Sequence, residues 1–210
     1  MKTEGVQAIS SLLVFGAGGH GRVVADAALA AGHWPRVLAS DRDPARCVGE
    51  LLPGVALVTV AEASRALAIH VAIGSAAGRE RETAALGVGT LASVIHPQAA
   101  VSAQASISAG CFIAAQSVVA PGARLGIGVI VNHGAVVDHD VQVGDFSHVA
   151  PQAALGGGVV IGRRVLVGSG ACVLPGLRIA DDVVVGAGAV VREHLPEMGV
   201  YAGVPARRLK

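Results

Sequence analysis

The chain is poor in aromatic rings, charge and cysteine, and each shortage excludes something. Five aromatics among 210 residues (Phe15, Trp34, Phe112, Phe146 and Tyr201) are too few for a core built on large rings. Charged residues are 15% of the total, and 16 basic against 15 acidic side chains leave a net charge of +1. That balance argues against a nucleic-acid surface or a polybasic membrane patch. Cys47, Cys111 and Cys172 are odd in number and far apart, so neither a disulfide framework nor a zinc cluster is expected. A reducing, cytoplasmic setting fits. No Asp, Glu, Lys or Arg occurs between Glu82 and Arg124, and the mean hydropathy is +0.61. A membrane span needs about 20 predominantly apolar residues. Here Pro97, Gln98, Ser102, Gln104, Ser106 and Ser108 interrupt the run, so no span is expected. The start, MKTEGVQAISSLLVFGAGG, has an early acidic residue and no basic region before a cleavage site, unlike a signal peptide.

What the chain has in excess is glycine, 29 residues, and small aliphatics in a strict order. From Ile95 to Val191 every sixth residue is Ile, Val or Leu, without a slip. The slot four residues later holds a small or β-branched residue everywhere but at Leu177, as in Ala99, Ala105, Cys111, Ser117 and Ala123. Gly often follows the aliphatic, as at Gly126, Gly144, Gly156, Gly162, Gly168 and Gly186, where it would relieve a turning backbone. A period of six fits neither an amphipathic helix nor a simple strand. It fits a parallel β-helix in which each hexad forms one side of a prism, the aliphatic points inward, and three hexads close an 18-residue coil. A generic Ala/Val-rich solenoid shares that period.

The first ninety residues read differently. SLLVFG at 11–16 and Val37–Asp41 are strands, with Ala-rich VVADAALAAG a helix between them. Ala56–Val60, a short helix from Glu62, Ile69–Gly74 and a helix near Ala76–Leu86 continue an alternating β/α order. Gly16, Gly18 and Gly21 form G-x-G-x-x-G after the first strand, with Asp41 further on. That is a dinucleotide fingerprint, in which a tight turn offers amide N–H groups to phosphate at a helix N-terminus. Ninety residues hold only half a Rossmann fold. A nucleotide-sugar diphosphate, NAD and a purely structural turn are the three readings.

The repeat resembles that of the hexapeptide-repeat acyltransferases, which implies a left-handed β-helix and a trimer. Both halves together resemble one branch, the bacterial nucleotide-4-amino-sugar N-acetyltransferases and proteins called sialic acid O-acetyltransferases. The likeness rests on Gly16–Gly21, Ala72-Ile73-Gly74, Ile95-His96-Pro97, Val137-Asp138-His139-Asp140, Phe146-Ser147-His148-Val149 and Gly203-Val204-Pro205-Ala206. The expected architecture is an α/β Rossmann-like half-domain over residues 1–92, binding a nucleotide sugar. An all-β left-handed parallel β-helix over residues 93–210 follows, binding acetyl-CoA as co-substrate without a metal. The implied reaction acetylates the amine of a nucleotide-linked sugar for bacterial surface glycans or glycoproteins. An O-acetyltransferase of sialic acid and a non-catalytic nucleotide-sugar-binding protein are the rivals.

Acetyl transfer to an amine needs a base and a donor for the tetrahedral oxyanion. Of eight histidines, His139 has the best surroundings, between Asp138 and Asp140, since a carboxylate orients an imidazole and raises its basicity. The resemblance makes His139 the base and Asp140 its helper. Gly157 lies 18 residues after His139, one coil above, and its bare amide is the oxyanion-donor candidate. The resemblance puts His148 beside the acetyl-CoA thioester, with a structural role the alternative, and puts CoA contacts at Ser169 and Ala187. It gives the sugar nucleotide to Gly18, Gly19, His20 and Gly74, and to Asp41-Arg42, where relatives often carry two acidic residues. Arg207, Arg208 and Lys210 form a basic end, either solvated or meeting CoA phosphates.

Overall fold

A computed structural model describes residues 11–63, 67–86 and 91–209. The amino-terminal unit runs β1 (Ser11–Phe15), α1 (Gly19–Ala31), β2 (Val37–Ser40), β3 (Glu50–Leu52), β4 (Val55–Leu57), β5 (Leu67–Val71) and α2 (Ala76–Leu86). The sheet order is β3-β4-β2-β1-β5, with β1 parallel to both β2 and β5. Strand order therefore reverses beside β1, where open α/β sheets take ligands at the carboxyl ends of their strands. After Ser11, β1 is apolar because it is covered on both faces. Leu12 and Val14 pack with Val24 and Ala28 of α1, and Leu13 packs with Leu38 on the other side. Gly32, in the left-handed conformation with φ 65°, ends α1.

Two elements differ from the sequence reading. The expected third strand is the second arm of an antiparallel β3–β4 hairpin, which adds Glu50–Leu52 ahead of it and turns at Pro53-Gly54 with Gly54 at φ 83°. The helix expected from Glu62 is, over its described part, a turn in which the Glu62 and Ala63 N–H groups donate to the Thr59 carbonyl. Residues 64–66 lie outside the described residues.

From Val94 onward the chain is a three-faced parallel prism. The first face stacks Val94–Ile95, Phe112–Ile113, Ile130–Val131, His148–Val149, Leu166–Val167 and Val183–Val185, and the tail strand Gly199–Ala202 extends it. The second stacks Ala100–Val101 through Val190–Val191, and the third Ser106–Ile107 through Arg178–Ile179. Each strand pairs with the one 18 residues on, as in Val137 with Leu155. The hexad aliphatics fill the interior, with Ile113, Val131, Val149 and Val173 fully buried.

The glycines that follow these aliphatics have a different purpose from the one expected. A Cβ on Gly144 would lie 2.6 Å from the Gly162 carbonyl, and one on Gly168 would lie 2.6 Å from the Ala187 nitrogen. Close approach of the next coil, not a special φ, excludes a side chain there. The left-handed residue sits two positions later, at every sixth residue from Gly110 to Gly188. Asp140, Phe146 and Arg164 occupy that slot with φ 60°, 58° and 55°.

The halves meet on the outer side of the first face, where Val94, Phe112 and Ile130 join the core of α1 and β1. Arg79 of α2, 1% exposed, locks this contact. It donates to the carbonyls of Ile73 and Gly74 in its own unit, and to those of Gly128 (2.7 Å) and Phe146 in the prism. Burial pushes its pKa down to about 10.

Candidate active site

The loop after β1 is built by two glycines that cannot be replaced. Gly16 has φ 124°, and a Cβ there would lie 2.7 Å from the Ala72 carbonyl oxygen. A Cβ on Gly21 would fall on the Gly16 carbonyl, so α1 and the loop touch backbone to backbone. Gly18 and Gly19 are different, since nothing lies within 4 Å of a Cβ at either. The fold does not require glycine at those two positions.

Gly18 opens onto a cavity of about 340 Å³ at the carboxyl ends of β1, β2 and β5, lined also by Asp41, Arg42, Arg46, Gly74 and Arg81. Asp41 accepts the Ala17 N–H at 3.0 Å and the Asp43 N–H at 3.2 Å, and pairs with Arg46 at 3.1 Å. Its carboxylate thus holds the glycine loop. Glu82 is 2% exposed and forms a two-point contact with Arg42 and a third contact with Arg81. Bonding to Arg42 lowers its pKa further than burial raises it. Three guanidiniums and a helix N-terminus therefore face one cavity, an arrangement suited to a diphosphate.

Gly19 and His20 do not line that cavity. The His20 ring turns toward the prism and meets Phe112 edge-on at 5.4 Å. Its Nε2 is buried without a partner among the described residues. Burial, with His70, His148 and Arg79 nearby, pushes its pKa down to about 3. His148 stands on the outer side of the first face between Ile130 and Leu166. The Asn132 amide, which can only donate through Nδ2, lies 3.1 Å from His148 Nε2 and occupies its lone pair. Burial first, then Arg79, holds His148 near pKa 4 and hence neutral. His148 and Gly74 share an apolar cavity of about 600 Å³ with Leu166 and Val184.

His139 sits at the corner between the second and third faces. Its Nδ1 lies 3.0 Å from Asp140 Oδ2, and its backbone N–H donates to Asp138 at 2.7 Å. An ionised carboxylate only accepts, so the neutral ring carries its proton on Nδ1 and keeps a lone pair on Nε2. The Asp140 hydrogen bond, then the Asp138 charge, raises its pKa above the ordinary value. Gly157 is directly above, where a Cβ would come within 2.6 Å of His139 Cε1. Among the described residues, the Gly157 N–H donates to no protein acceptor. The pair is open in the single chain, with side-chain exposures of 63% and 74%.

Ser169 and Ala187 stack on the corner between the first and second faces, the Gly188 N–H donating to the Ser169 carbonyl. In the tail, Arg207 pairs with Glu193, and Arg208 with Glu197. Lys210 lies outside the described residues. Among the described residues, no group of three or more His, Cys, Asp or Glu could hold a metal, and no helix is long and apolar enough to cross a membrane. Sequence reasoning missed Arg46, Arg79, Arg81 and Glu82. Only the alternating charges of Arg79-Glu80-Arg81-Glu82 marked that helix, and they look like an ordinary solvated face.

A phosphate-loop unit joined to a hexad prism with an acid-paired histidine at its corner defines a hexapeptide-repeat acyltransferase. Two family models match: the PglD N-terminal domain over residues 11–86, and the bacterial transferase hexapeptide (six repeats) over residues 158–193. No curated protein matches. The chain is 36% identical to the acetyltransferase domain of PglB from Neisseria gonorrhoeae FA1090, covering 95% of this chain and 99% of that one, with a TM-score of 0.88. That domain in complex with acetyl coenzyme A matches with a TM-score of 0.87 at the same identity, covering 95% and 98%. A histidine-to-alanine mutant of GDP-perosamine N-acetyl transferase from Caulobacter crescentus, in complex with CoA and GDP-perosamine, is 34% identical. That match covers 97% of this chain and 98% of the other, with a TM-score of 0.87. The chain belongs to the hexapeptide-repeat acetyltransferases of the nucleotide-amino-sugar branch.

Proposed function

We propose that this protein transfers the acetyl group of acetyl-CoA to the amine of a nucleotide-linked amino sugar, with His139 as general base. The carrying observation is the His139–Asp140 pair, whose free Nε2 lies against Gly157. Residues 1–92 hold the nucleotide sugar and residues 93–210 the donor. The diphosphate rests on the loop at Gly18 and on the guanidiniums of Arg42, Arg46 and Arg81, with Gly74 also in the lining. Asp41 positions the loop. His139 Nε2 takes a proton as the amine nitrogen attacks the thioester carbonyl carbon. The new C–N bond forms, the C–S bond breaks, and the proton held on His139 Nε2 passes to the departing sulfur, so that CoA leaves as the thiol and the base is regenerated. Asp140 steadies the charged imidazole, and the Gly157 N–H donates to the oxyanion. His148 and His20, both kept neutral by burial, shape the acyl site. CoA lies along Ser169 and Ala187.

A trimer completes the site. The outward residues of the second face, from Ala100, Val118 and Val136 to Ala154, Cys172 and Val190, carry no charge. The third face carries Arg124, Gln142 and Arg178 outward. Packing of the uncharged face on a second copy would cover His139, which a single chain leaves in water. We place the protein in the cytoplasm, where both substrates are made.

The test is acetyl-CoA thiol release against UDP-, GDP- and dTDP-linked amino sugars and free sialic acids. Turnover with a nucleotide amino sugar, giving an alkali-stable amide, supports the reading. Turnover confined to sialic acid, giving a labile ester, replaces it with O-acetylation.

A further inference from the structure

Arg79 carries a buried charge that no acidic group neutralises. Its guanidinium donates to the carbonyls of Ile73, Gly74, Gly128, Phe146 and Ser147 and, among the described residues, to no carboxylate. Burial lowers its pKa only to about 10, so it remains a cation at neutral pH. An ion taken out of water without a counter-ion is costly. Joining two units through carbonyls does not by itself require a charge.

The charge stands behind the wall where the two substrates would meet. Gly74 lines both the nucleotide cavity and the apolar cavity of about 600 Å³, so the two adjoin there. Arg79 holds Ile73 and Gly74 on one side, and on the other Phe146 and Ser147, the residues just before His148. His148 lines the same apolar cavity. A sugar whose diphosphate lies in the first cavity reaches past Gly74 toward His148. The other charges around that space are spent on one another. Arg164 and Asp182 form a two-point pair at 2.7 Å, and Glu80 of α2 is taken up by Arg163 and Arg164. Asp145 contacts Arg163 and accepts the Ile127 N–H. The imidazoles on this side, His20, His70 and His148, are held neutral chiefly by burial, and the Arg79 charge adds to the effect on each.

Acetyl transfer to an amine has a use for such a charge. A primary amine in water is mostly ammonium at neutral pH, and an ammonium has no lone pair with which to attack. It must lose two protons to become an amide, whereas His139 Nε2 offers one lone pair. One proton therefore has to leave before attack. We propose that Arg79 is a positioning residue of the acceptor site: its unpaired charge excludes a second cation beside His148, so the sugar amine is bound there as the uncharged nucleophile. This rests on the donor and acceptor assigned above. The displaced proton goes to solvent, and the bonds made and broken are those already given.

The test is a titration of the bound amine. A nucleotide amino sugar accepted in turnover, carbon-13 labelled at the carbon bearing the nitrogen, is bound to the enzyme together with CoA, which has no acyl group to transfer. The carbon shift, followed by NMR across the neutral and alkaline range, gives the amine pKa in the complex. It should lie at least about one pH unit below that of the free sugar, a tenfold or greater displacement toward the free base. In Arg79→Gln, which keeps a donor for the carbonyls and loses the charge, the bound amine should titrate at or above its free value. The acid limb of kcat should then move to higher pH. Arg79→Met should do the same with a larger loss of stability. A merely structural residue would lower the folded fraction and leave the bound amine titrating as in the native protein, and that result overturns the proposal. A native complex whose amine titrates no lower than the free sugar also overturns it, while its turnover leaves the proposed function standing. No binding and no turnover of any nucleotide amino sugar refutes that function and this proposal with it.

Discussion

Gly18→Val and Gly21→Val lie three residues apart and should fail in opposite ways. At Gly21 a Cβ falls on the Gly16 carbonyl, and Gly16 cannot retreat because a Cβ of its own would already press on Ala72. Both obstacles are backbone. Overpacking of that kind costs about 1–3 kcal/mol and occasionally more, and two rigid walls put Gly21→Val near the top, about 3 kcal/mol. Gly18 has φ −92° and ψ −168°, extended backbone that any residue adopts, with open space around its Cβ position. As the residue capping α1, its change to valine should cost about 1 kcal/mol or less. The new side chain would stand in the 340 Å³ cavity, where a diphosphate must reach the loop amides. Affinity for a nucleoside diphosphate should fall more than about tenfold, that is by over 1.4 kcal/mol, with the acetyl-CoA dissociation constant changed less than about twofold. Urea unfolding followed by circular dichroism gives the stabilities, and calorimetry with each ligand gives the affinities. If Gly18→Val loses CoA and keeps the nucleotide, the loop cradles CoA phosphates and the division of labour is wrong.

Arg79→Met should destabilise by about 3–5 kcal/mol, because it strands buried carbonyls in both units; unfolding within 1 kcal/mol of native in urea would show the contact is dispensable. Stability should fall on acidification. His20, His70 and His148 have folded pKa values pushed down to about 3, 4 and 4 from 6.5, chiefly by burial, so the unfolded chain binds the extra protons. Below pH 6.5 each histidine removes up to about 1.4 kcal/mol per pH unit until its folded pKa is reached. Urea midpoints at pH 7.5, 6.5 and 5.5 should drop steeply across the last step, and a flat series contradicts three buried neutral imidazoles. Asp140→Asn removes the main cause of the raised His139 pKa, so the acid limb of kcat should move to lower pH as kcat itself falls. An unmoved limb would assign the titration to another group.

The prism was legible because its interior admits one kind of residue per slot, and seventeen coherent slots have no other physical explanation. Stacking by 18 then puts Gly157 over His139 from the spacing alone, as the structure shows. The glycines following the aliphatics were recognised, but their cause was not, since close approach of the next coil is invisible in one hexad. The β3–β4 hairpin had its signal in Pro53-Gly54 between two short apolar runs, which a plain β/α alternation overrode. Arg79 left no trace, because its partners are backbone carbonyls far along the chain. Glu82 looked like a helix surface residue until Arg42 reached it from the end of β2. His20 has the right position for a phosphate loop, yet the aromatic edge of Phe112 turns it to the prism.

The account depends most on His139. Steady-state kinetics of His139→Ala with acetyl-CoA and the accepted amino sugar should show kcat lowered by roughly 10²–10⁴, the usual contribution of a general base, with the CoA dissociation constant unchanged. Turnover at the native rate in that variant would contradict the assignment and move the proton acceptor elsewhere in the site.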